Sequence, residues 1–217
     1  MKHFTIFQNF YYVIAEMTEE EIVSAIASST YRKRVEEIRH IFAEQGEKAA
    51  NEKKKELPAI AFSACYRGRR TKENLVKYLG HIVIDIDHLS EEELARILPI
   101  IRGCRYTRIV FISPKGMGVK IVVRACHPDE TLPETLQEIA NFHHAVYTKL
   151  ASLYAQLCQI EIDTSGQDVV CSPTTRTFIS IRMPRLSSWH NLLCPTSLQR
   201  IKVPPPPNNR IIRRTTR

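Results

Sequence analysis

The sequence predicts an α+β fold whose main unit runs β-α-β-β-α-β, and three observations carry that expectation. Short β-branched and apolar blocks recur at 81–87, 105–112, 119–124 and 176–182, each of strand length. Ser90 followed by Glu93 opens a helix between the first two blocks, and a longer helical repeat fills the gap between the third and fourth. The second and third blocks are joined by a turn carrying two glycines, Gly116 and Gly118.

From the start of the chain, residues 4–14 (FTIFQNFYYVI) are aromatic and β-branched enough for a strand. Thr18 with Glu21 three positions on is a capping box, opening a helix to about Ser28. Tyr31, Val35, Ile38 and Phe42 recur at helical spacing, and 44–56 continues as a charged helix or loop until Pro58 stops it. Residues 1–57 are therefore expected to form a small, mainly helical accessory lobe of α/β character. A short apolar strand follows at 59–63, then a basic loop at 66–72 (YRGRRTK). Residues 81–87 (HIVIDID) are a strand, Ser90 and Glu93 cap a helix to about Leu98, 105–112 is a strand, and 113–118 turns into a strand at 119–124. A long helix lies within 133–158, with Leu136, Ile139, His143, Val146, Leu150, Leu153 and Leu157 on one face. Residues 159–175 are loop-rich and 176–182 return as a strand. This order is the split ferredoxin-like or RNA-recognition-like (RRM-like) arrangement, and it spans an expected core of 58–195. Residues 196–217, with four consecutive prolines at 204–207, read as a stiff spacer and a basic tail expected to be poorly ordered.

Charge is uneven along the chain. Residues 31–77 carry 13 basic and 7 acidic side chains and residues 196–217 carry 6 basic and none acidic, whereas the whole chain is only +8. The remainder is net acidic. A basic periphery around an acidic centre suits a protein that holds a phosphate backbone outside and metal ions inside. Six scattered cysteines without a C-x-x-C pair, and no signal-peptide pattern at the start, lead to the expectation of reduced thiols and a cytoplasmic location. No apolar run approaches the roughly 20 residues a membrane helix needs, so no membrane partner is expected.

The residues that carry chemistry begin with Asp85 and Asp87. Alternate strand residues share a face, so the two carboxylates project together while Ile84 and Ile86 project oppositely. Close like charges call for a neutralising cation, and Mg²⁺ or Mn²⁺ takes carboxylate oxygens. Nucleases, phosphatases and sugar-nucleotide transferases also hold metals with such a pair. Asp163, ahead of the last strand, is the candidate third ligand, since two-metal nucleotidyl transfer places two ions about 4 Å apart among such carboxylates. The alternative for Asp163 is an ordinary turn residue. In the 113–120 segment (SPKGMGVK), Ser113, Lys115, Gly116, Gly118 and Lys120 could hold a triphosphate, and Arg176 is a further candidate phosphate contact. Tyr66 with Arg67, Arg69 and Arg70 offers a stacking ring beside guanidinium groups for a single strand. The group His143, His144, Cys126, His127 and Cys158 fits no zinc-finger spacing, and His143 reads as a core histidine.

The segments at 57–63 (LPAIAFS), 81–90 (HIVIDIDHLS), 113–123 (SPKGMGVKIVV) and 162–180 (IDTSGQDVVCSPTTRTFIS) together resemble the VirE N-terminal domain family, a branch of the archaeo-eukaryotic primase-polymerase superfamily associated with bacterial mobile elements. The resemblance covers about residues 4–182. It implies an RRM-like catalytic core joined to a small lobe and template-directed nucleotide polymerisation on single-stranded DNA from NTP or dNTP. It places two metal ions, Mg²⁺ or Mn²⁺, on Asp85, Asp87 and Asp163, and the incoming nucleotide at Ser113 to Lys120. A helicase is a candidate partner. Two positions depart from the wider superfamily: Lys120 stands where many members have histidine, and Arg182-Met183-Pro184 replaces an aspartate-proline ending. The readings open at this stage are therefore a nucleotidyltransferase, a non-catalytic single-strand-binding module and a two-metal nuclease.

Overall fold

The computed structural model describes residues 3–8, 11–162 and 201–202. Among these residues the chain is mixed α+β, with antiparallel sheets and five helices. The aromatic N-terminal segment, expected as one strand, is a hairpin of β1 (Phe4–Gln8) and β2 (Tyr12–Met17). Folding back pairs backbone groups that a single long strand would leave open. Next comes α1 (Glu19–Ala27), where Thr18 and Glu21 form the expected reciprocal cap. The charged stretch that follows is two helices, α2 (Arg32–Gln45) and α3 (Glu47–Lys54), divided at Gly46. Gly46 has φ +81°, a backbone conformation that ends one helix and costs glycine little.

β3 (Ala59–Ala61) pairs with β1, giving a three-stranded sheet in the order β2-β1-β3. The basic loop is the tip of a second hairpin, β4 (Ala64–Tyr66) and β5 (Leu75–Tyr78). The main sheet holds β6 (His81–Ile86), β7 (Thr107–Ile112) and β8 (Val119–Cys126), with α4 (Glu91–Gly103) between β6 and β7 and α5 (Leu136–Cys158) after β8. Its order is β6-β8-β7, so β8 lies antiparallel between two strands that the α4 crossover joins. A two-residue strand, β9 (Ile201–Lys202), runs parallel to the end of β8 at Ala125 and Cys126. This pairing engages two residues of the predicted tail. The strand predicted at 176–182, which would complete β-α-β-β-α-β, lies outside the described residues.

Alternation along the strands gives the sheet two apolar faces. Ile82, Ile84, Ile86, Val110, Val119, Ile121 and Val123 pack against α4 and α5. Val83, Ile109, Phe111 and Val122 pack against Phe4, Ile6, Ile22, Ile26, Ile60 and Phe62 from the N-terminal elements. Each such side chain contributes roughly 1.5–3 kcal/mol by leaving water, so both layers hold the sheet. α4 runs through Pro99 to Gly103, beyond the expected end at Leu98. Pro99 and Ala95 are both exposed, so water can satisfy the carbonyl that proline cannot bond. Among the described residues no helix is long and apolar enough to cross a membrane.

Candidate functional site

The face of the main sheet that looks toward the N-terminal elements changes character at one end. Following the period of two from the apolar residues, Val83 leads to Asp85 and then Asp87, Phe111 leads to Ser113, and Val122 leads back to Lys120 and Gly118. These residues share one face and one end of the sheet. The register sets Asp85 directly opposite Lys120, with Ile86 opposite Val119 and Ile112 opposite Val119 on the other side of β8. Lys120 Nζ donates to Asp85 Oδ2, and the two side chains are 2% and 19% exposed respectively. Lys120, which the sequence offers as a phosphate contact, is therefore the partner of the first aspartate.

Two oxygens at this end of the sheet are buried without a hydrogen-bond partner: Asp85 Oδ1 and Ser113 Oγ. Leaving such groups unpaired costs on the order of 1–3 kcal/mol each, so their presence together calls for a ligand. Gly118 lies beneath them. A Cβ on Gly118 would sit 2.6 Å from Ile86 O, 2.7 Å from Asp87 Oδ1 and 3.2 Å from Ser113 Oγ. Only a residue without a side chain lets Asp87 and Ser113 come this close to the backbone that leads into β8. The turn itself is self-bonded: Ser113 N–H donates to Gly118 O at 2.8 Å and Gly116 N–H to Ser113 O at 2.9 Å. Those two amides are committed to the turn and are not available to a ligand.

The α2–α3 pair grips this turn from outside. Arg39 Nε donates to Pro114 O at 3.1 Å and its guanidinium lies over Gly116, where a Cβ would be 3.3 Å from Nε. Lys115 forms an ion pair with Glu47 and stands 5.9 Å from the centroid of the Phe42 ring. That ion pair, first of all through its hydrogen bond, lowers the Glu47 carboxyl below its ordinary value. Lys115 is thus held by the N-terminal helices. They bring a residue the sequence reading missed, Lys54, which sits partly buried within electrostatic reach of Lys120, Asp85, Asp87 and Lys115. Burial, and then repulsion from Lys120, pushes the Lys54 ammonium down to about 8, against the opposing pull of Asp85 and Asp87. Lys54 was hidden in a run of lysines and glutamates that reads equally well as a solvated helix.

The remaining predicted residues fall elsewhere. Tyr66, offered as a base-stacking ring, is 3% exposed and packs edge-on against Phe7, with centroids 5.9 Å apart. A base cannot reach it in this arrangement. Arg67 and Arg69 are exposed at the tip of the β4–β5 hairpin and Arg70 is partly buried. Asp163 and Arg176 lie outside the described residues. His143 is in the core, its Nδ1 3.0 Å from the Tyr78 hydroxyl, and burial holds its imidazole down to about 3.

The donor set fits a hard divalent cation in kind, since Asp85, Asp87 and Ser113 present oxygens and one Asp85 oxygen is unengaged. Among the described residues, no three His, Cys, Asp or Glu side chains form a group able to hold a metal ion. A third carboxylate would have to come from beyond them, where Asp163 lies.

No curated protein and no solved structure matches the chain. A family model described as BT4734-like, N-terminal domain matches residues 52–173, which include α3's Lys54, Asp85, Asp87, the 113–118 turn, Lys120 and Asp163. It is a family distinct, by its description, from the VirE N-terminal one. The match covers more than half of the chain, which therefore belongs to the BT4734-like N-terminal domain family.

Proposed function

We propose that this chain is a metal-dependent, template-directed nucleotidyltransferase of the primase-polymerase type acting on single-stranded DNA. In this reading the β6-α4-β7-β8-α5 unit is completed to an RRM-like core by the strand at 176–182, and the resemblance to VirE N-terminal domains reflects shared chemistry. The observation that carries it is the pair of buried, unpaired oxygens, Asp85 Oδ1 and Ser113 Oγ, beside Asp87 and among three lysines. Carboxylates suit metal, while hydroxyl and ammonium groups suit phosphate. Asp85 and Asp87, with Asp163, would hold Mg²⁺ or Mn²⁺, which when bound offsets charge on the α-phosphate and the departing pyrophosphate.

The chain's own residues do the rest. Ser113 Oγ donates to a phosphate oxygen, and Lys120 fixes the Asp85 carboxylate through Oδ2 while leaving Oδ1 open. Gly118 keeps the floor low enough for Asp87 to approach. A primer 3′-oxygen or an initiating nucleotide forms the new bond to the α-phosphorus as the bond to pyrophosphate breaks, and the hydroxyl proton passes to solvent.

The test is template extension on single-stranded DNA with Mg²⁺ or Mn²⁺, comparing NTPs with dNTPs. Incorporation by the wild type and its loss in the Asp85→Asn, Asp87→Asn double variant is the expected result. Unchanged incorporation by the double variant would sink the assignment. A second reading has one observation in its favour: Lys120 already neutralises Asp85, as a residue would in a binding module that had given up metal. Salt-sensitive binding to single strands with no product selects that reading. Degradation of labelled DNA without added nucleotide selects a nuclease on the same carboxylates.

A further inference from the structure

We propose that the β4–β5 hairpin is a binding surface for the phosphodiester backbone of a nucleic acid, held by Arg67 and Arg69 with Lys72 and Lys77 beside them and without readout of its sequence. The surface gives the nucleotidyltransferase reading a place to hold its template, and rests on that reading only for the strand's being a template. Between Ala64 and Tyr78 the chain carries five basic side chains and one acidic. Arg67, Arg69, Lys72 and Lys77 are exposed, and none of the ion pairs among the described residues involves them. A Cβ on Gly68, between the two arginines, would meet nothing within 4 Å, so the space over the tip is open.

The tip is open but not slack. Arg67 N–H donates to Asn74 O at 2.9 Å across the hairpin, and Arg69 O accepts from Thr71 N–H at 2.9 Å and from Asn74 Nδ2 at 3.0 Å. Below the tip, Tyr66 N–H donates to Thr5 Oγ1 at 3.0 Å and its ring packs on Phe7, while Tyr78 is buried edge-on against Phe142. The ring that cannot stack on a base thus fixes the strand from which the arginines project. A backbone ordered before binding lowers the entropy cost of taking up a ligand. β5 leads through Leu79 and Gly80 into β6 at His81, about 13 Å along the strand from Asp85, so the hairpin's base stands apart from the carboxylates.

Composition specifies the ligand. The loop 67–74 (RGRRTKEN) has no large apolar side chain, so it has nothing to bury in a bilayer interface or in the apolar centre of a protein contact. It has guanidinium groups instead, whose planar fork of donors meets two phosphate oxygens at once. A chain with one phosphate per nucleotide can engage Arg67, Arg69 and the neighbouring lysines together; an isolated phosphate cannot.

The probe is a labelled oligo(dT) of about 20 nucleotides, titrated with the full chain by fluorescence anisotropy in EDTA between about 0.05 and 0.2 M salt. Each phosphate neutralised on a single strand contributes about −0.7 to the slope of log K against log salt, so the four cations together give about −3. Arg67→Gln, Arg69→Gln should make the slope shallower by about 1.4 and weaken binding about tenfold or more, on oligo(dT) and on a mixed sequence alike. Arg67→Lys, Arg69→Lys keeps both charges and should keep the slope. Arg105→Gln, Lys149→Gln, which removes two exposed charges outside the hairpin, should shift it by less than half as much. Hairpin-dependent binding of single-stranded DNA, duplex DNA or RNA supports the surface, and the tightest of the three names the form it takes. No binding by the wild type, a slope unchanged in Arg67→Gln, Arg69→Gln, or an equal change in the Arg105/Lys149 variant overturns it. Polyglutamate bound as tightly as oligo(dT), with the same dependence on the two arginines, also overturns it and assigns the surface to an acidic polypeptide. Hairpin-dependent binding without template extension overturns the polymerase reading alone, and extension by the wild type without hairpin-dependent binding overturns the surface alone.

Discussion

Replacing Lys120 with methionine probes the pair on which the site is built. Methionine preserves most of the length and apolar stem of a side chain that is 2% exposed, so the change removes charge more than volume. Asp85 loses the donor to Oδ2 while its Oδ1 is already unbonded, and the carboxylate is left 19% exposed beside Asp87. Stranding one member of a buried ion pair costs about 3–5 kcal/mol. The water that reaches Asp85 places this case near the lower end, about 3 kcal/mol. Urea denaturation followed by far-UV circular dichroism at pH 7 in EDTA reads that number, and a cycle with Asp85→Asn and the double variant isolates the pair. The double variant should recover at least about 1 kcal/mol relative to the sum of the singles. Adding Mn²⁺ should then stabilise Lys120→Met more than the wild type, because the cation takes the place of the ammonium. A Lys120→Met stability within about 0.5 kcal/mol of wild type, with no coupling to Asp85, would refute the reasoning.

Three further outcomes follow from other parts of the fold. Gly118→Ala should destabilise by about 1–3 kcal/mol, because the new Cβ meets Ile86 O at 2.6 Å and Asp87 Oδ1 at 2.7 Å, whereas Gly103→Ala, with nothing within 4 Å at the end of α4, should be neutral or stabilising by thermal denaturation. His143 is held neutral by burial, so its folded value lies below its unfolded one; stability from this group is complete above about pH 6.5 and is lost as pH falls toward 3, at up to about 1.4 kcal/mol per unit. His143→Gln should flatten that acid limb in urea titrations between those pH values, and an unchanged limb would assign the acid sensitivity to other groups. Lys54 has the opposite consequence for a cation: its value is depressed, so the cost of keeping it charged is present in full below about pH 8 and is relieved as pH rises. Lys54→Met should accordingly raise the melting temperature of the chain at pH 7, and a melting temperature unchanged or lowered would contradict that cost.

Much of this architecture is written in local sequence. The capping boxes at Thr18/Glu21 and Ser90/Glu93 form as their spacing implies, because the partners lie within one turn of each other. The strand alternation that separates Asp85 from Ile84 and Ile86 is equally local, and it sends the aspartate and the isoleucines to opposite faces. What the sequence does not announce is pairing across distance. Lys120 meets Asp85 because β8 inserts between β6 and β7 in one particular register, and shifting that register by one residue would send Lys120 to the other face. Lys54 belongs to a charged run whose meaning depends on where α3 docks. Tyr66 shows the converse limit: beside three arginines it resembles a stacking ring, yet the ladder of β4 with β5 turns it inward against Phe7.

The most direct test of the account is a Mn²⁺ titration of the full chain followed by electron paramagnetic resonance, with and without a nucleoside triphosphate. The wild type should take up Mn²⁺ saturably and more tightly with the nucleotide present, and the Asp85→Asn, Asp87→Asn variant should lose at least about tenfold in affinity, as expected when carboxylate ligands are removed from a hard cation. Equal uptake by wild type and variant, or no saturable uptake by the wild type, would contradict a metal and nucleotide site at the end of this sheet.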